Sequence, residues 1–160
     1  MKKLKFFLFA VMAVVMVSCK GNEPDGGKQT YKMGNLTFSY YLSESKTNTN
    51  TYAPGELLIV HLDVQNGGVD TVMINADYLG SCYNKNQLME SMSTYITNDS
   101  FPVFKPAYRG TTARFSYVFS IDVASDSYYY KNPHIYYYKK GNEGDIKNIM
   151  IPLTINFNVQ

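Results

Sequence analysis

The chain has 160 residues, 45% of them hydrophobic, and a formal net charge of +2 at pH 7. Three of its 15 basic residues lie in the first five positions, so the rest of the chain carries 12 basic and 13 acidic residues, a formal charge of −1. Proteins that bind nucleic acid usually carry a basic face. The near-neutral charge of this chain therefore argues against nucleic acid as a partner. Two cysteines, Cys19 and Cys82, are too few for a disulfide-rich scaffold, so one domain must rely on its hydrophobic core.

The first eighteen residues have the layout of a secretory signal peptide. Lys2, Lys3 and Lys5 precede an uncharged apolar run from Phe6 to Val17, which Ser18 and Cys19 follow. A membrane-spanning helix needs roughly twenty apolar residues, more than this run offers. We therefore predict that residues 1–18 are removed from the mature protein.

The end of this segment, Met16-Val17-Ser18-Cys19, resembles the lipobox of bacterial lipoproteins, with methionine in place of the usual aliphatic residue. The resemblance implies that Cys19 carries a lipid and holds the mature chain on a membrane. An ordinary signal peptide with an incidental Cys19 is the alternative.

Residues 19–30 are polar and glycine-rich, which predicts a flexible tether. Lys20 with the early acids Glu23 and Asp25 resembles the surface-export signals of Bacteroidetes lipoproteins. That resemblance implies an outer-membrane lipoprotein facing the cell surface, and the periplasmic face is the alternative.

From residue 31 to 160 the sequence predicts a single domain of β-strands. Apolar and polar residues alternate in the way typical of strands with one buried face. About seven strands are predicted, near residues 36–42, 57–64, 71–76, 114–123, 127–130, 135–139 and 149–159. Turn signals separate them, and Pro152 predicts an edge or a bulge in the last strand. The fold class is therefore all-β, an antiparallel sandwich.

One short helix is predicted over residues 84–96. Leu88, Met89, Met92 and Ile96 recur there at helical spacing, and we expect this stripe to pack on the core as a plug.

The segment Pro54-Gly55-Glu56, the alternating strand after it and the turn Asn66-Gly67-Gly68 are similar to the opening of bacterial immunoglobulin-like modules. The resemblance covers about twenty residues. It implies an immunoglobulin-like sandwich and no active site.

The sequence offers few groups for catalysis. His61 and His134 are expected at the surface, Cys82 in the core, and no His or Cys residues have zinc-ligand spacing. A hydrolase would have to use carboxylates such as Asp122 and Asp126. We predict a protein that is not an enzyme and that needs neither cofactor nor metal.

The triplet Asp70-Thr71-Val72 resembles the acceptor sequence for protein O-glycosylation in Bacteroidetes. The resemblance implies a glycan on Thr71. A chance match without a glycan is the alternative.

Tyrosine is the most unusual feature of the composition, with fifteen residues in the chain and six between positions 128 and 138. We predict a hairpin in which residue 130 faces residue 135, so that opposed residues share a face. Tyr128, Tyr130, Ile135 and Tyr137 then lie on the core side. The candidate ligand-binding residues on and beside the other side are Tyr129, Tyr136, Tyr138, Lys131, Lys139 and Lys140.

These patterns favour a lipid-anchored binding module of the cell envelope that contacts glycan or a partner protein through the exposed tyrosines. A purely structural role for the tyrosines as cross-strand pairs is the competing interpretation. A second hypothesis is a subunit of an envelope or fimbria-like assembly that adds the strand from Ile149 to a neighbouring sheet. A hydrolase is the least favoured.

Overall fold

The computed structural model describes residues 27–43, 50–92 and 103–160, so the predicted signal peptide, Cys19 and most of the predicted tether lie outside this range. The strands are β1 Gln29–Met33, β2 Leu36–Leu42, β3 Thr51–Tyr52, β4 Leu57–Asn66, β5 Val72–Tyr78, β6 Ser81–Asn84, β7 Gln87–Met89, β8 Lys105–Ala107, β9 Thr112–Ser120, β10 Asp126–Lys131, β11 His134–Lys139, β12 Lys147–Met150 and β13 Thr154–Val159. β1 thus begins two residues before the predicted start of the domain. In the described part of the chain, no helix is long and apolar enough to cross a membrane.

The first sheet has the strand order β1-β2-β4-β9 and is antiparallel throughout. Alternation explains its two faces, because successive side chains of a strand point to opposite sides. Leu58, Val60, Leu62 and Val64 of β4 are fully buried, while Ile59 and His61 between them are half-buried on the outer face.

The second layer consists of two sets of paired strands, β12-β11-β5-β8 and β3-β13-β10-β6-β7. Three chain segments pass from one set to the other: β5 into β6, β10 into β11, and β12 into β13. Their pairing continues across the junction, where the amide of Asn132 donates to the carbonyl of Leu153 at 3.0 Å and that of Ile151 to the carbonyl of Pro133 at 2.8 Å. We therefore treat this layer as one bent sheet, called the bent sheet below.

The bend arises where each segment carries a residue unsuited to a regular strand. Gly80 has φ of 113° and Asn132 has φ of 57°, both in the left-handed half of the backbone map. Pro152 lacks the amide hydrogen that a ladder requires. On the buried side, the Tyr40 hydroxyl of the first sheet donates to the carbonyl of Leu79, so a backbone acceptor at the bend is satisfied from the opposite layer.

The core lies between the inner faces of the two sheets and includes tyrosine rings. Phe157 is stacked between Tyr128 and Tyr130, with ring centroids 5.4 and 5.6 Å away. Both hydroxyls donate to backbone carbonyls, Tyr128 to Ala124 at 2.7 Å and Tyr130 to Met92 at 2.9 Å. Buried tyrosine is tolerated here because each polar tip has a partner.

The predicted antiparallel β-sandwich is confirmed, but two predicted elements are wrong. Over residues 84–92 the chain forms the hairpin β6–β7 and a 3-10 turn, Glu90–Met92, instead of a helix, and residues 93–96 lie outside the described range. Lys85 and Asn86 both have positive φ, which suits a tight hairpin turn.

The two tyrosine stretches also do not pair with each other. They are the successive strands β10 and β11 of one bent segment, whose common partner is the C-terminal segment β12–β13. The hairpin turn lies at residues 140–146 rather than at Asn132-Pro133. Pro152 interrupts the predicted strand 149–159, as the expectation of a bulge implied.

The antiparallel registers place the connections at two ends of the sandwich. Residues 34–35, 67–71, 108–111 and 140–146 lie together at one end, which we call the loop end. Cross-connections support this grouping, since the Gly67 amide donates to Asn35, Gly110 to Asn66 and Lys140 to Thr71. Gly27 precedes β1 at the opposite end.

Candidate recognition surface

The outer face of the bent sheet, called the tyrosine face below, carries all three tyrosines predicted as ligand-binding residues. Tyr129, Tyr136 and Tyr138 are half-buried there, whereas Tyr128 and Tyr130 are buried on the inner face. Burial confirms the predicted inner positions of Tyr128 and Tyr130, whereas Tyr137, also predicted on the core side, is half-buried and packs against the core. The bend at Asn132-Pro133 shifts the inward and outward alternation of side chains by one residue. The predicted hairpin turn would have shifted it in the same way.

Around Tyr129 the structure brings together two rings and a cation. Tyr83 of β6 lies directly across from Tyr129, and their rings stack with centroids 5.4 Å apart at 12°. Lys131 Nζ lies 4.2 Å from the Tyr83 centroid and 5.7 Å from that of Tyr129. The Tyr129 hydroxyl donates to Asn86 Oδ1 at 2.9 Å. We call this group the Tyr129 patch, in which cation–π attraction holds Lys131 over the rings.

Tyr136 and Tyr138 lie on the other side of the bend and form a second group, the Tyr136 patch. The Tyr138 ring meets Phe104 edge to face, with centroids 4.9 Å apart at 62°. Asn75, across from Tyr136, donates from Nδ2 to the carbonyl of Val103 at 3.2 Å. The segment before β8 therefore contacts this patch through Phe104 and Val103.

The three candidate tyrosines thus form two separate patches and not one continuous row. Seven positions separate Tyr129 from Tyr136 along the same segment, at most about 23 Å in extended geometry. Between them His134 packs edge to face on Tyr78, with centroids 6.4 Å apart.

Each patch also has an asparagine from the C-terminal segment. Asn156 of β13 lies directly across from Tyr129, and Asn148 of β12 directly across from Tyr136. Both are exposed, and Thr154 and Asn158 extend the row on β13. Hydrogen-bonding side chains therefore line one side of the outward tyrosines.

Of the three candidate lysines, Lys131 lies over the rings of the Tyr129 patch. Lys139 lies at the loop end, where its Nζ is 2.9 Å from Asp70 Oδ2. Lys140 is exposed beside it, and its amide donates to the carbonyl of Thr71. Thr71 itself is half-buried directly before β5. Cys19, the predicted lipid attachment site, lies outside the described residues.

Tyr83 belongs to the Tyr129 patch but was missed in the sequence. Its partner is 46 positions away, and only the register of β6 with β10 brings the two together. A signal was present in Tyr83-Asn84-Lys85-Asn86, since asparagine and lysine at tight-turn positions indicate a hairpin there.

A second polar arrangement lies on the outer face of the first sheet. Arg114 donates from Nε and Nη2 to the two carboxylate oxygens of Asp63 at 2.7 and 2.8 Å, and the Tyr41 hydroxyl donates to the same carboxylate at 3.0 Å. Burial alone would raise the pKa of Asp63, but these hydrogen bonds outweigh it and lower that pKa.

His61 adjoins this ion pair without being oriented by it. Its ring stacks on Tyr41 at 4.9 Å between centroids, and its Nδ1 shares a 2.8 Å hydrogen bond with Ser116 Oγ. Burial and the Arg114 cation lower the pKa of His61. A Ser–His–Asp mechanism needs the carboxylate on the second ring nitrogen, whereas Asp63 accepts from Arg114 and Tyr41.

The Cys82 thiol is buried, and the Asp126 carboxylate is paired with Lys85. Burial raises the pKa of the Cys82 thiol to about 12, so the reactive thiolate is disfavoured. A hydrogen bond from Lys85 holds the pKa of Asp126 at about 2. Residues 27–43, 50–92 and 103–160 contain no group of three His, Cys, Asp or Glu side chains arranged to hold a metal ion.

No known family model matches the sequence, and no curated protein matches it. Solved structures are similar to it at low identity. The PapD-like domain 7 of human CEP192 has 12% identity, covers 91% of this chain and 92% of its own, and has a TM-score of 0.41.

Two further solved structures are similar in the same range. A structural-genomics target, SoR45, has 11% identity over 83% of this chain and 89% of its own, with a TM-score of 0.37. A Niemann-Pick type C2 protein from Japanese carpenter ant has 10% identity over 85% of this chain and 97% of its own, with a TM-score of 0.33. At these scores the likeness carries no argument about ligands.

Proposed function

We propose that this protein is a lipid-anchored, non-catalytic binding module of a bacterial cell envelope, and that its tyrosine face binds glycan. The observation that carries the proposal is the pairing of an outward tyrosine with an exposed asparagine in both patches, Tyr129 with Asn156 and Tyr136 with Asn148. A sugar offers apolar C–H faces beside hydroxyl groups. Aromatic rings suit the first and amide groups the second.

The two patches differ in what they offer a sugar. The rings of Tyr83 and Tyr129 stack on each other, so they present edges and hydroxyls outward. Tyr136 has no stacked ring partner among the described residues, so its ring is the better stacking surface. A linear glycan that lies along the segment from β10 to β11 would contact both patches.

The anchor and location rest on the sequence. Cys19 in the lipobox-like segment attaches the chain to the outer membrane, and the segment after it directs the domain to the cell surface. Fatty-acid labelling that disappears in Cys19→Ala, together with digestion by protease added to intact cells, is the expected result. Labelling that persists in Cys19→Ala would contradict the anchor, and protection in intact cells would indicate the periplasmic face.

The glycan proposal is tested with the mature chain carrying Cys19→Ala, which stays soluble. Its binding to a glycan array is compared with that of a Tyr129→Ala/Tyr136→Ala variant and of the matched control Tyr108→Ala. Tyr108 is 53% exposed at the loop end and belongs to neither patch. We expect binding that the double variant loses and the control keeps, with similar melting temperatures for all three.

Two outcomes would count against this function. Binding that survives in the double variant would place recognition elsewhere. A large drop in melting temperature with no glycan bound by the parent would make these tyrosines packing residues. Capture of an envelope protein that depends on the same two tyrosines would shift the ligand from glycan to protein.

The assembly hypothesis finds no supporting observation. β13, the strand that would be exchanged, pairs along its whole length with β10 of its own sheet, and Ile155, Phe157 and Val159 are buried in the core. Adding this strand to a neighbour would therefore expose the chain's own core.

A further inference from the structure

A cleft of about 270 Å³ opens between the two sheets at the loop end. Its floor is formed by Leu36 of the first sheet and Val72 of the bent sheet, which are 5% and 8% exposed. Met33 and Tyr137 line the walls, and Val69 stands at the mouth. Apolar side chains from both layers thus meet around a space that neither layer fills.

The loop that carries Val69 is held in place by hydrogen bonds. Asn66 is 1% exposed, and its Nδ2 donates to the carbonyls of Asp70 at 2.7 Å and Ala107 at 2.9 Å. Its Oδ1 accepts from the amide of Gly68 at 2.9 Å. Every polar atom of this side chain is therefore used to fix the loop, and the cleft is formed before any ligand arrives.

Val69 is 75% exposed although the rest of its loop is fixed. Isolated exposed apolar residues are ordinary on protein surfaces. Here the exposed valine continues an apolar lining that leads inward to Leu36 and Val72. The arrangement therefore offers a ligand one connected apolar surface from the mouth to the floor.

The charges at the rim balance each other. Lys139 and Asp70 are the charged residues that line the cleft, and their Nζ and Oδ2 atoms are 2.9 Å apart. A charged ligand therefore finds no net charge of opposite sign at the rim. The volume lies just below the roughly 300–1,000 Å³ typical of small-molecule sites, which limits the cleft to a small ligand.

We propose that the cleft binds a small, uncharged, mainly apolar molecule that fits between Leu36, Val72 and Tyr137 and covers Val69. This site is separate from both patches of the tyrosine face and does not rest on the glycan proposal. Burial of the apolar lining supplies the affinity, and the Lys139–Asp70 pair at the rim disfavours anionic and cationic ligands.

The test uses N-phenyl-1-naphthylamine, an uncharged apolar dye whose fluorescence rises when it leaves water. The mature chain with Cys19→Ala is titrated beside two further variants, Val69→Asp at the mouth and Leu57→Asp as the matched control. Leu57 is 63% exposed at the opposite end of the sandwich. We expect saturable binding of one dye per chain, weakened at least tenfold by Val69→Asp and unchanged by Leu57→Asp.

Several results would overturn the proposal. The folded parent could show no saturable dye fluorescence. Alternatively, both aspartate variants could lose binding equally. In NMR spectra, the amide chemical shifts that change on titration with the dye should belong to Met33–Leu36 and Asn66–Val72. Changes confined to the tyrosine face would refute the site. Dimerisation that Val69→Asp abolishes and the dye does not compete with would assign the cleft to a second copy of the chain.

Discussion

Replacing Gly80 by alanine should destabilise the fold strongly, because Gly80 lies where the bent sheet approaches the first sheet. A Cβ at this position would lie 2.8 Å from the carbonyl oxygen of Lys131 and 2.5 Å from the Tyr40 hydroxyl, both closer than real Cβ contacts. The φ of 113° is also unfavourable for any residue with a side chain.

The magnitude follows from these two effects. A strained backbone conformation costs of order 1–3 kcal/mol. Displacing the Tyr40 hydroxyl leaves the buried carbonyl of Leu79 without its donor, which costs roughly a further 1–3 kcal/mol. We therefore expect a loss of about 2–6 kcal/mol in the free energy of unfolding. At about 4 °C per kcal/mol for a domain of this size, that corresponds to a fall of roughly 8–24 °C in melting temperature.

Urea denaturation of Gly80→Ala beside Gly110→Ala separates the two effects. Gly110 has φ of 73°, and no atom lies within 4 Å of the position that an alanine Cβ would take there, so its substitution carries backbone strain alone. Tyr40→Phe with Gly80→Ala should cost less than the sum of the two single changes, since both disturb the same hydrogen bond. Equal unfolding midpoints for Gly80→Ala and Gly110→Ala would refute the proposed packing at the bend.

Three other predictions concern single groups. Arg114→Ala should cost about 1–2 kcal/mol in urea denaturation, because it leaves the buried Asp63 carboxylate with Tyr41 alone; the exposure of Arg114 limits the effect. The free energy of unfolding should fall as pH decreases below about 6.5. The pKa of His61 is lowered in the folded chain, so the unfolded chain binds a proton there that the folded chain does not. His61→Gln should remove that part of the pH dependence. Cys82 should resist alkylation by iodoacetamide at pH 8 in the folded protein and react on unfolding.

Each of these has a clear contrary result. An Arg114→Ala protein as stable as the parent would mean that water replaces the guanidinium at Asp63. A stability curve that is flat between pH 6.5 and 5 would contradict the lowered pKa of His61. Rapid alkylation of Cys82 without unfolding would show that its strand opens readily.

The faces of the strands could be predicted from the sequence because they depend on alternation within one strand. In β2, Leu36, Phe38 and Tyr40 point to the core and are buried. Thr37 and Ser39 between them point to the outer face and are half-buried. The choice of partner strand depends instead on turns. The sequence around Asn132-Pro133 is typical of a hairpin turn between the two tyrosine stretches. In the structure it is a bend instead, because the neighbouring segment also departs from regular strand geometry, at Gly80.

The predicted helix fails for a related reason. Leu88, Met89 and Met92 fit a helical spacing, but that spacing also arises when a short strand runs into a 3-10 turn. In the structure Leu88 is 49% exposed while Met92 is buried. The spacing alone cannot distinguish these arrangements, and the positive φ of Lys85 and Asn86 decides between them.

The position of the chain's N-terminal side relative to the loops gives the two candidate sites different access. β1 enters the fold at the end opposite the loops, so in an upright arrangement of the domain on the proposed Cys19 anchor the loop end would face away from the membrane. A ligand arriving from outside would then meet the apolar cleft first, next the Tyr136 patch and last the Tyr129 patch. A long glycan can reach both patches only by lying along the side of the domain, toward the membrane. The cleft has no such constraint, which favours small molecules there and extended polymers on the tyrosine face.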